Sequence, residues 1–368
     1  MTHLSPPFRA DHVGSLLRPA AVLDARRRRA AGEIDDDGLR EIEDAAIAEM
    51  IPRLEATGIQ SITDGEFRRE FFHLDFLKEL DGVTVTGMID SSTDSRETVD
   101  MAPPKITVTG KLRHQHEIQV ADFEFVAEHT ALTPKVAIPS PTMVHFRGGR
   151  QGVDIESYPD LDQFFEDLAR CYRDEIASLY AAGCRYLQLD DTNLAYLCDP
   201  AMRQGAVDRG DDPDELPRTY AALINSSLQG RPDDLTVGIH LCRGNFRSKH
   251  FASGSYEAVA EVLFNDIDVD AYFLEYDDER SGDFAPLRFF PDDKTLVLGL
   301  VTSKRAELED RDELKSRVHE AAAYVDLDRL CLSPQCGFSS TVHGNDVTEH
   351  DQWAKLRHVV DIAGEIWS

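Results

Sequence analysis

Four residues of metal-binding types lie in the second half of the sequence: His240, Cys242, Glu275 and Cys336. His240 and Cys242 are separated by one residue, so both side chains can reach one ion, whereas the other two must come from separate elements. Thiolates together with an imidazole favour zinc over magnesium or calcium. Two cysteines, one histidine and one exchangeable carboxylate leave a position for a substrate, which a closed site of four cysteines does not. The pattern therefore predicts a catalytic zinc site.

A zinc site with two thiolate ligands predicts thiol chemistry. Such an ion is a mild Lewis acid and can hold an incoming thiol as its thiolate, which is the nucleophilic form. The thiolate can then attack an electrophilic carbon near neutral pH. Hydrolysis by zinc-bound water is the rival use, but hydrolytic sites usually rely on histidine and carboxylate ligands. The sequence thus favours an enzyme that alkylates a thiol.

Alternating helices and short apolar strands are expected to position these residues. Helical periodicity covers residues 36–57, 160–182, 255–266 and 305–324, and apolar strand candidates cover 13–16, 59–63, 135–139, 185–189, 235–239, 271–274, 295–301 and 329–332. This alternation predicts an α/β fold with a parallel sheet and helical crossovers. Eight strands favour a closed (β/α)8 barrel, or TIM barrel, whose active site lies at the carboxyl ends of the strands. His240, Glu275 and Cys336 all fall at such ends.

Residues 82–130 break this rhythm. Runs at 83–86, 105–109 and 116–120 alternate in hydrophobicity, which is typical of strands. They predict a β-rich hairpin insertion between the second and third barrel strands. Because no internal repeat or linker is evident, residues 1–368 are expected to form one domain.

Composition narrows the range of partners. The formal net charge of −29 argues against nucleic acid or an anionic membrane as a partner. The acidic run Asp277-Asp278-Glu279 is interpreted, with others like it, as solvated surface. Neither a signal peptide nor an apolar stretch of about 18 residues is present, which predicts a cytoplasmic protein. Its six cysteines are then expected to be buried, metal-bound or catalytic rather than paired in disulfides. A homo-oligomer remains open.

The chain resembles the catalytic half of cobalamin-independent methionine synthase, within the uroporphyrinogen decarboxylase/methionine synthase barrel superfamily. The likeness runs from Asp11-His-Val-Gly-Ser15 to Ser333-Pro-Gln-Cys-Gly337 and is closest to short, single-barrel members. It implies that homocysteine is methylated to methionine by a methyl donor, which in the long enzymes is 5-methyltetrahydropteroyltriglutamate. It also implies residue roles: zinc ligation by the four residues above, catalytic carboxylates at Glu66 and Asp190, and binding of the amino-acid end of homocysteine by Gly14, Ser15, Glu66 and Asp190.

Two departures from the family pattern bear on the methyl donor. The N-terminal barrel that helps the long enzymes to bind folate has no counterpart here. The proton-donating histidine expected after the seventh strand is replaced by Gly299-Leu-Val-Thr-Ser-Lys304, with His145 and His250 as alternative acids. Two other functions stay open: a zinc-dependent alkyltransferase or carbon–sulfur lyase acting on another thiol, and a non-catalytic zinc- or thiol-binding sensor.

Overall fold

A computed structural model describes residues 5–86, 105–245 and 247–368. The strands are β1 (Ser61–Ile62), β2 (Asp81–Thr86), β3 (Lys105–Arg113), β4 (Thr133–Pro134), β5 (Val136–Pro139), β6 (Tyr186–Asp191), β7 (Thr236–Leu241), β8 (Ala271–Glu275), β9 (Thr295–Val301) and β10 (Leu330–Pro334). The α-helices are α1 (Ala20–Ala30), α2 (Asp36–Glu55), α3 (Leu74–Leu77), α4 (Val120–His129), α5 (Leu161–Ala181), α6 (Asn193–Tyr196), α7 (Pro200–Asp208), α8 (Leu216–Leu228), α9 (Ala260–Asp266), α10 (Arg311–Ala321) and α11 (Glu349–Ile366).

The strands form a closed ring. Six of them make one parallel sheet in the order β10-β9-β8-β7-β6-β5, and β4, which precedes β5 by one residue, pairs in parallel with β1. The segment before α1 closes the gap: Ala10 forms a parallel bridge to Leu332, and Leu16 N–H donates to the carbonyl of Gly65 at 2.9 Å. The expected α/β barrel is therefore present.

The first barrel position differs from the prediction, because residues 13–16 do not form a regular strand. Gly14 has a φ of 144°, which interrupts the extended backbone. Side chains replace much of the missing ladder: His12 Nε2 lies 2.9 Å from the carbonyl of Ser61, and the hydroxyl of Thr63 donates to the carbonyl of Gly14 at 2.9 Å. The strand predicted at 59–63 likewise shortens to β1.

The hairpin insertion is present, but its C-terminal part is not a strand. Strands β2 and β3, which follow β1 and precede β4 along the chain, pair with each other in antiparallel orientation. Residues 87–104, which connect them, lie outside the described residues. The run predicted as a strand at 116–120 is a loop that leads into α4, so the β-rich assignment of 82–130 is wrong for its last third. The reason is a tertiary contact: the carboxylate of Glu175 in α5 accepts the backbone N–H groups of Ile118 and Gln119.

Two predicted helices are also shorter than expected. The region 255–266 divides into a 3₁₀ turn, Tyr256–Ala258, and α9. Helix α10 starts at Arg311 and not at 305, because Asp310 caps it by accepting the N–H groups of Asp312 and Glu313. All six cysteines are free and buried, as expected. Among the described residues, no helix is long and apolar enough to cross a membrane.

Candidate metal and thiol site

The four proposed metal ligands meet at the carboxyl end of the barrel. His240 lies in β7, Cys242 directly follows that strand, and Glu275 is the last residue of β8. Cys336 follows β10 by two residues. In a parallel barrel the carboxyl ends of all strands face the same rim, so residues 94 positions apart, such as Cys242 and Cys336, become neighbours.

The geometry of this cluster suits a zinc ion. One ligand atom from each of the four side chains lies within 4.8 Å of all the others, and all four residues are buried. The two sulfur atoms are 3.5 Å apart. A tetrahedral ion with zinc–sulfur bonds of about 2.3 Å needs its sulfurs roughly 3.8 Å apart. Neither ring nitrogen of His240 hydrogen-bonds to a nitrogen or oxygen atom in the described part of the chain; the ring interacts instead with the thiol of Cys336, a fellow member of the cluster.

The electrostatics of the cluster favour a thiolate. Hydrogen bonding between the two thiols lowers the pKa of Cys336 well below its usual value and raises that of Cys242. Burial lowers the pKa of His240, but the nearby Cys336, Asp190 and Glu275 outweigh burial, and the net shift is upward. One cysteine of the pair is therefore readily deprotonated, the form that binds a metal ion.

Glu66 and Asp190 lie beside this cluster. Asp190 is paired in register with His240 across β6 and β7, and Gln188 donates to it at 2.7 Å. Burial raises the pKa of Glu66 to about 7; nearby Arg69 opposes that shift and Asp190 adds to it. The pKa of Asp190 is raised as well, chiefly by burial. Both carboxylates are buried, and Glu66 Oε2 accepts no hydrogen bond from the described residues, although Nη1 of Arg69 lies 3.8 Å from it. Two neighbouring buried carboxylates make a site that a further cationic group would stabilise.

Gly14 and Ser15 lie against Glu66 and the loop that carries Cys336. A Cβ at position 14 would lie 3.3 Å from Oε1 of Glu66, and a Cβ at Gly337 would lie 1.8 Å from the hydroxyl of Ser15. The carbonyl of Ser15 accepts the N–H of Phe338 at 2.9 Å. The loop that carries Cys336 is thus fastened directly onto Ser15, and the residues assigned to substrate binding lie close to one another and to that loop.

The model of the family described as cobalamin-independent synthase, catalytic domain, matches residues 8–365. The chain belongs to this family. The uncharacterized protein YxjH of Bacillus subtilis is 47% identical over 98% of this chain and 95% of its own length. A methionine synthase of Pyrococcus abyssi is 26% identical over 88% of this chain and 84% of its own. A solved structure of a candidate vitamin-B12-independent methionine synthase from Listeria monocytogenes is 40% identical, covers 98% of both chains and superimposes with a TM-score of 0.79.

These comparisons confirm the family, the enzyme class and the barrel fold expected from the sequence.

The loop after β9, the seventh strand of the barrel, has no histidine at the place where the sequence analysis expected the family's proton donor. Ser303 there donates its hydroxyl to Gln335 and to the carbonyl of Gly337. His145 does not fill the gap, since its Nδ1 lies 3.0 Å from the hydroxyl of Tyr220 and its ring packs among aromatic side chains.

Two other buried residues near the site, Asp191 and Arg18, have structural roles. Asp191 accepts the N–H of Leu194 and the hydroxyl of Thr142, at 2.8 and 2.6 Å, so it holds the loop after β6. Arg18 donates to the carbonyls of Glu66 and Ser339, each at 2.8 Å, and therefore joins two loops of the site rather than offering a free guanidinium.

Arg280 was missed by sequence reasoning. It directly follows the acidic run interpreted as solvated surface, but its side chain is 8% exposed and that of Asp277 only 1%. Its guanidinium donates to Glu275 at 3.1 Å and to Asp277 at 2.7 Å. A lone arginine directly after an acidic run, a few residues beyond a strand-end carboxylate, was the available signal.

Proposed function

We propose that this chain is a zinc-dependent methyltransferase that converts homocysteine to methionine in the cytoplasm. The observation that carries the proposal is the adjacency of two unlike sites. The cluster of His240, Cys242 and Cys336 suits a thiol, and the buried carboxylates Glu66 and Asp190 suit an ammonium group. An amino-acid thiol carries both groups, and an acidic pair would repel a thiol that bears a sulfonate.

The residues take separate roles in this proposal. His240, Cys242, Cys336 and, without substrate, Glu275 would hold zinc. Bound there, zinc would keep the substrate thiol deprotonated near neutral pH. Asp190 and Glu66 bind the ammonium group and so orient the sulfur toward the cluster, while Gly14 and Ser15 border the amino-acid end. Holding the nucleophile in one orientation also removes much of the entropic barrier to transfer.

The loop after β9 bears on the methyl donor. Transfer from a methyltetrahydrofolate leaves an amine nitrogen that must be protonated, and general-acid assistance of this kind contributes roughly 10²- to 10⁴-fold. The hydroxyls of Thr302 and Ser303 are too weakly acidic for this task, and that of Ser303 is already engaged. The donor expected to react faster has a leaving group that needs no proton, such as a methylcorrinoid or a sulfonium.

The test is homocysteine methylation by the zinc-loaded protein, with methyltetrahydrofolate, methylcobalamin and S-methylmethionine compared by kcat/KM. Cys242→Ser should lose most of its metal and its activity. The matched control is Cys331→Ser, since Cys331 is also buried but lies within β10 and outside the ligand cluster, where its Sγ faces the carbonyl of Pro7. The control should keep both metal and activity.

Different results would contradict different parts of this proposal. No methionine from any donor, or full metal content in Cys242→Ser, would refute the function. A folate donor that is best by about tenfold, equivalent to roughly 1.4 kcal/mol of barrier, would refute only the donor assignment. Better turnover with a thiol that lacks the amino group would favour a different thiol alkyltransferase.

A further inference from the structure

Glu275 differs from the other members of the cluster because the protein already engages both of its carboxylate oxygens. Oε1 accepts the backbone N–H of Arg243 at 3.0 Å, and Oε2 accepts Nη2 of Arg280 at 3.1 Å. The Nζ of Lys304 lies 3.9 Å from the same Oε2. A carboxylate that shares its charge with two cations in this way is a weaker metal ligand than a free one.

Arg280 and Lys304 differ in the acceptors that surround their charged groups. Arg280 is anchored independently of Glu275, because it donates to Asp277 at 2.7 Å and also pairs with Asp278. Lys304 is buried, and its Nζ has no hydrogen-bond partner in the described part of the chain. A buried ammonium without an acceptor is costly, so this group has spare capacity for a carboxylate that moves toward it.

We infer that Arg280, together with Lys304, is a positioning residue that retains the carboxylate of Glu275 when the thiol substrate takes its place in the cluster. The inference rests on the proposed function, since it concerns the exchange of Glu275 for the substrate. In this exchange one anion, the carboxylate of Glu275, is replaced by another, the substrate thiolate, within a buried site. Without a cation beside it, the displaced carboxylate would be a buried, unpaired charge, which strongly disfavours the exchange. Arg280 and Lys304 provide that pairing.

The test uses cobalt-substituted protein titrated with homocysteine, with the thiolate-to-cobalt charge-transfer band as the readout. Arg280→Gln should raise the apparent Kd for homocysteine by about tenfold or more, while metal content and resistance to a chelator stay equal or increase. Lys304→Met should act in the same direction with a smaller effect. Arg288→Gln is the matched control, because Arg288 forms an exposed pair with Glu257, and it should bind homocysteine as the wild type does.

A double-variant comparison separates positioning from a role in loop structure. When Glu275 is already Gln, no charged carboxylate needs retention, so adding Arg280→Gln should cost little further thiol affinity. An equal loss in both backgrounds would overturn the inference, as would wild-type affinity in both Arg280→Gln and Lys304→Met. Should Arg280→Gln fail to fold, Lys304→Met decides alone. A wild-type cobalt protein that does not respond to homocysteine refutes the proposed function before any variant is compared.

Discussion

Asp190 and Asp191 are adjacent buried carboxylates with different partners. Asp191 is satisfied by the hydroxyl of Thr142 and the N–H of Leu194. Asp190 receives one hydrogen bond from Gln188 and otherwise interacts electrostatically with His240 and Arg69. A carboxylate with unused acceptor capacity beside a thiol site is suited to recognition, whereas one saturated by its own loop is suited to structure.

Asp190→Asn is therefore expected to weaken binding of homocysteine far more than binding of a thiol that lacks the amino group. A charge-assisted contact of this kind is worth roughly 1.5–3 kcal/mol, or about 10- to 150-fold in affinity. Isothermal titration of the zinc-loaded protein with homocysteine and with 4-mercaptobutyrate measures the difference. Asp191→Asn serves as the control and should lower stability without discriminating between the thiols. Equal losses for both thiols in Asp190→Asn would assign Asp190 to structure.

Barrel closure depends on a few buried side chains near the amino end of the first segment. The carboxylate of Asp11 pairs with Nζ of Lys135 at 3.3 Å, both side chains being fully buried. The hydroxyls of Ser61 and Tyr186 also donate to Asp11, each at 2.7 Å. These contacts join the irregular first segment to β1, β6 and the residue between β4 and β5, so they compensate for the ladder that the first segment lacks.

We expect Lys135→Met to destabilise the barrel by about 3–5 kcal/mol, since it leaves the charge of Asp11 buried and unpaired. The double variant Asp11→Asn/Lys135→Met should recover part of this loss. Arg288→Gln, which removes an exposed ion pair, should cost no more than about 1 kcal/mol. Urea unfolding followed by circular dichroism gives these differences. A loss below 1 kcal/mol for Lys135→Met would show that closure does not depend on the pair.

The sequence predicts elements well where burial alone determines them. Residues 271–275 are buried at every position, so a continuous apolar run was a sufficient signal for β8. Prediction failed where a distant partner decides the backbone. The run at 116–120 alternates like a strand, but two of its N–H groups go to Glu175, more than fifty residues away.

The candidate site, like the fold, could be predicted from the sequence only in part. The ligand types at strand ends predicted the cluster of His240, Cys242, Glu275 and Cys336, whose ligand atoms lie together in the structure. Its occupation by zinc, the roles of Glu66 and Asp190, and a single domain over 1–368 remain predictions. Arg280 was harder to predict, because an acidic run is normally solvated and only the folded chain shows that the side chains of Asp277 and Arg280 are buried.

The whole molecule carries far more negative than positive charge, 68 acidic against 39 basic residues. Such an imbalance destabilises a compact state through self-repulsion. Raising the salt concentration from 0.1 to 1 M shortens the screening length from about 10 to about 3 Å. The midpoint temperature of thermal unfolding should therefore rise by roughly 2–5 °C as potassium chloride is increased over this range. A midpoint that stays constant or falls would mean that attractive surface pairs dominate over repulsion.

The parallel bridge between Ala10 and Leu332 has a consequence for the synthesis of the protein. The first segment of the barrel has its neighbour on one side almost at the opposite end of the chain. A nascent chain can build its hairpin and its early helices while it is still on the ribosome, but it cannot close the ring until residue 332 has emerged. Until then the backbone N–H of Asp11, which donates to the carbonyl of Leu332, and the edge of β9 that pairs with β10 lack their partners. Such long-range closure is slow, and the interval is the stage at which the growing chain most needs protection from aggregation.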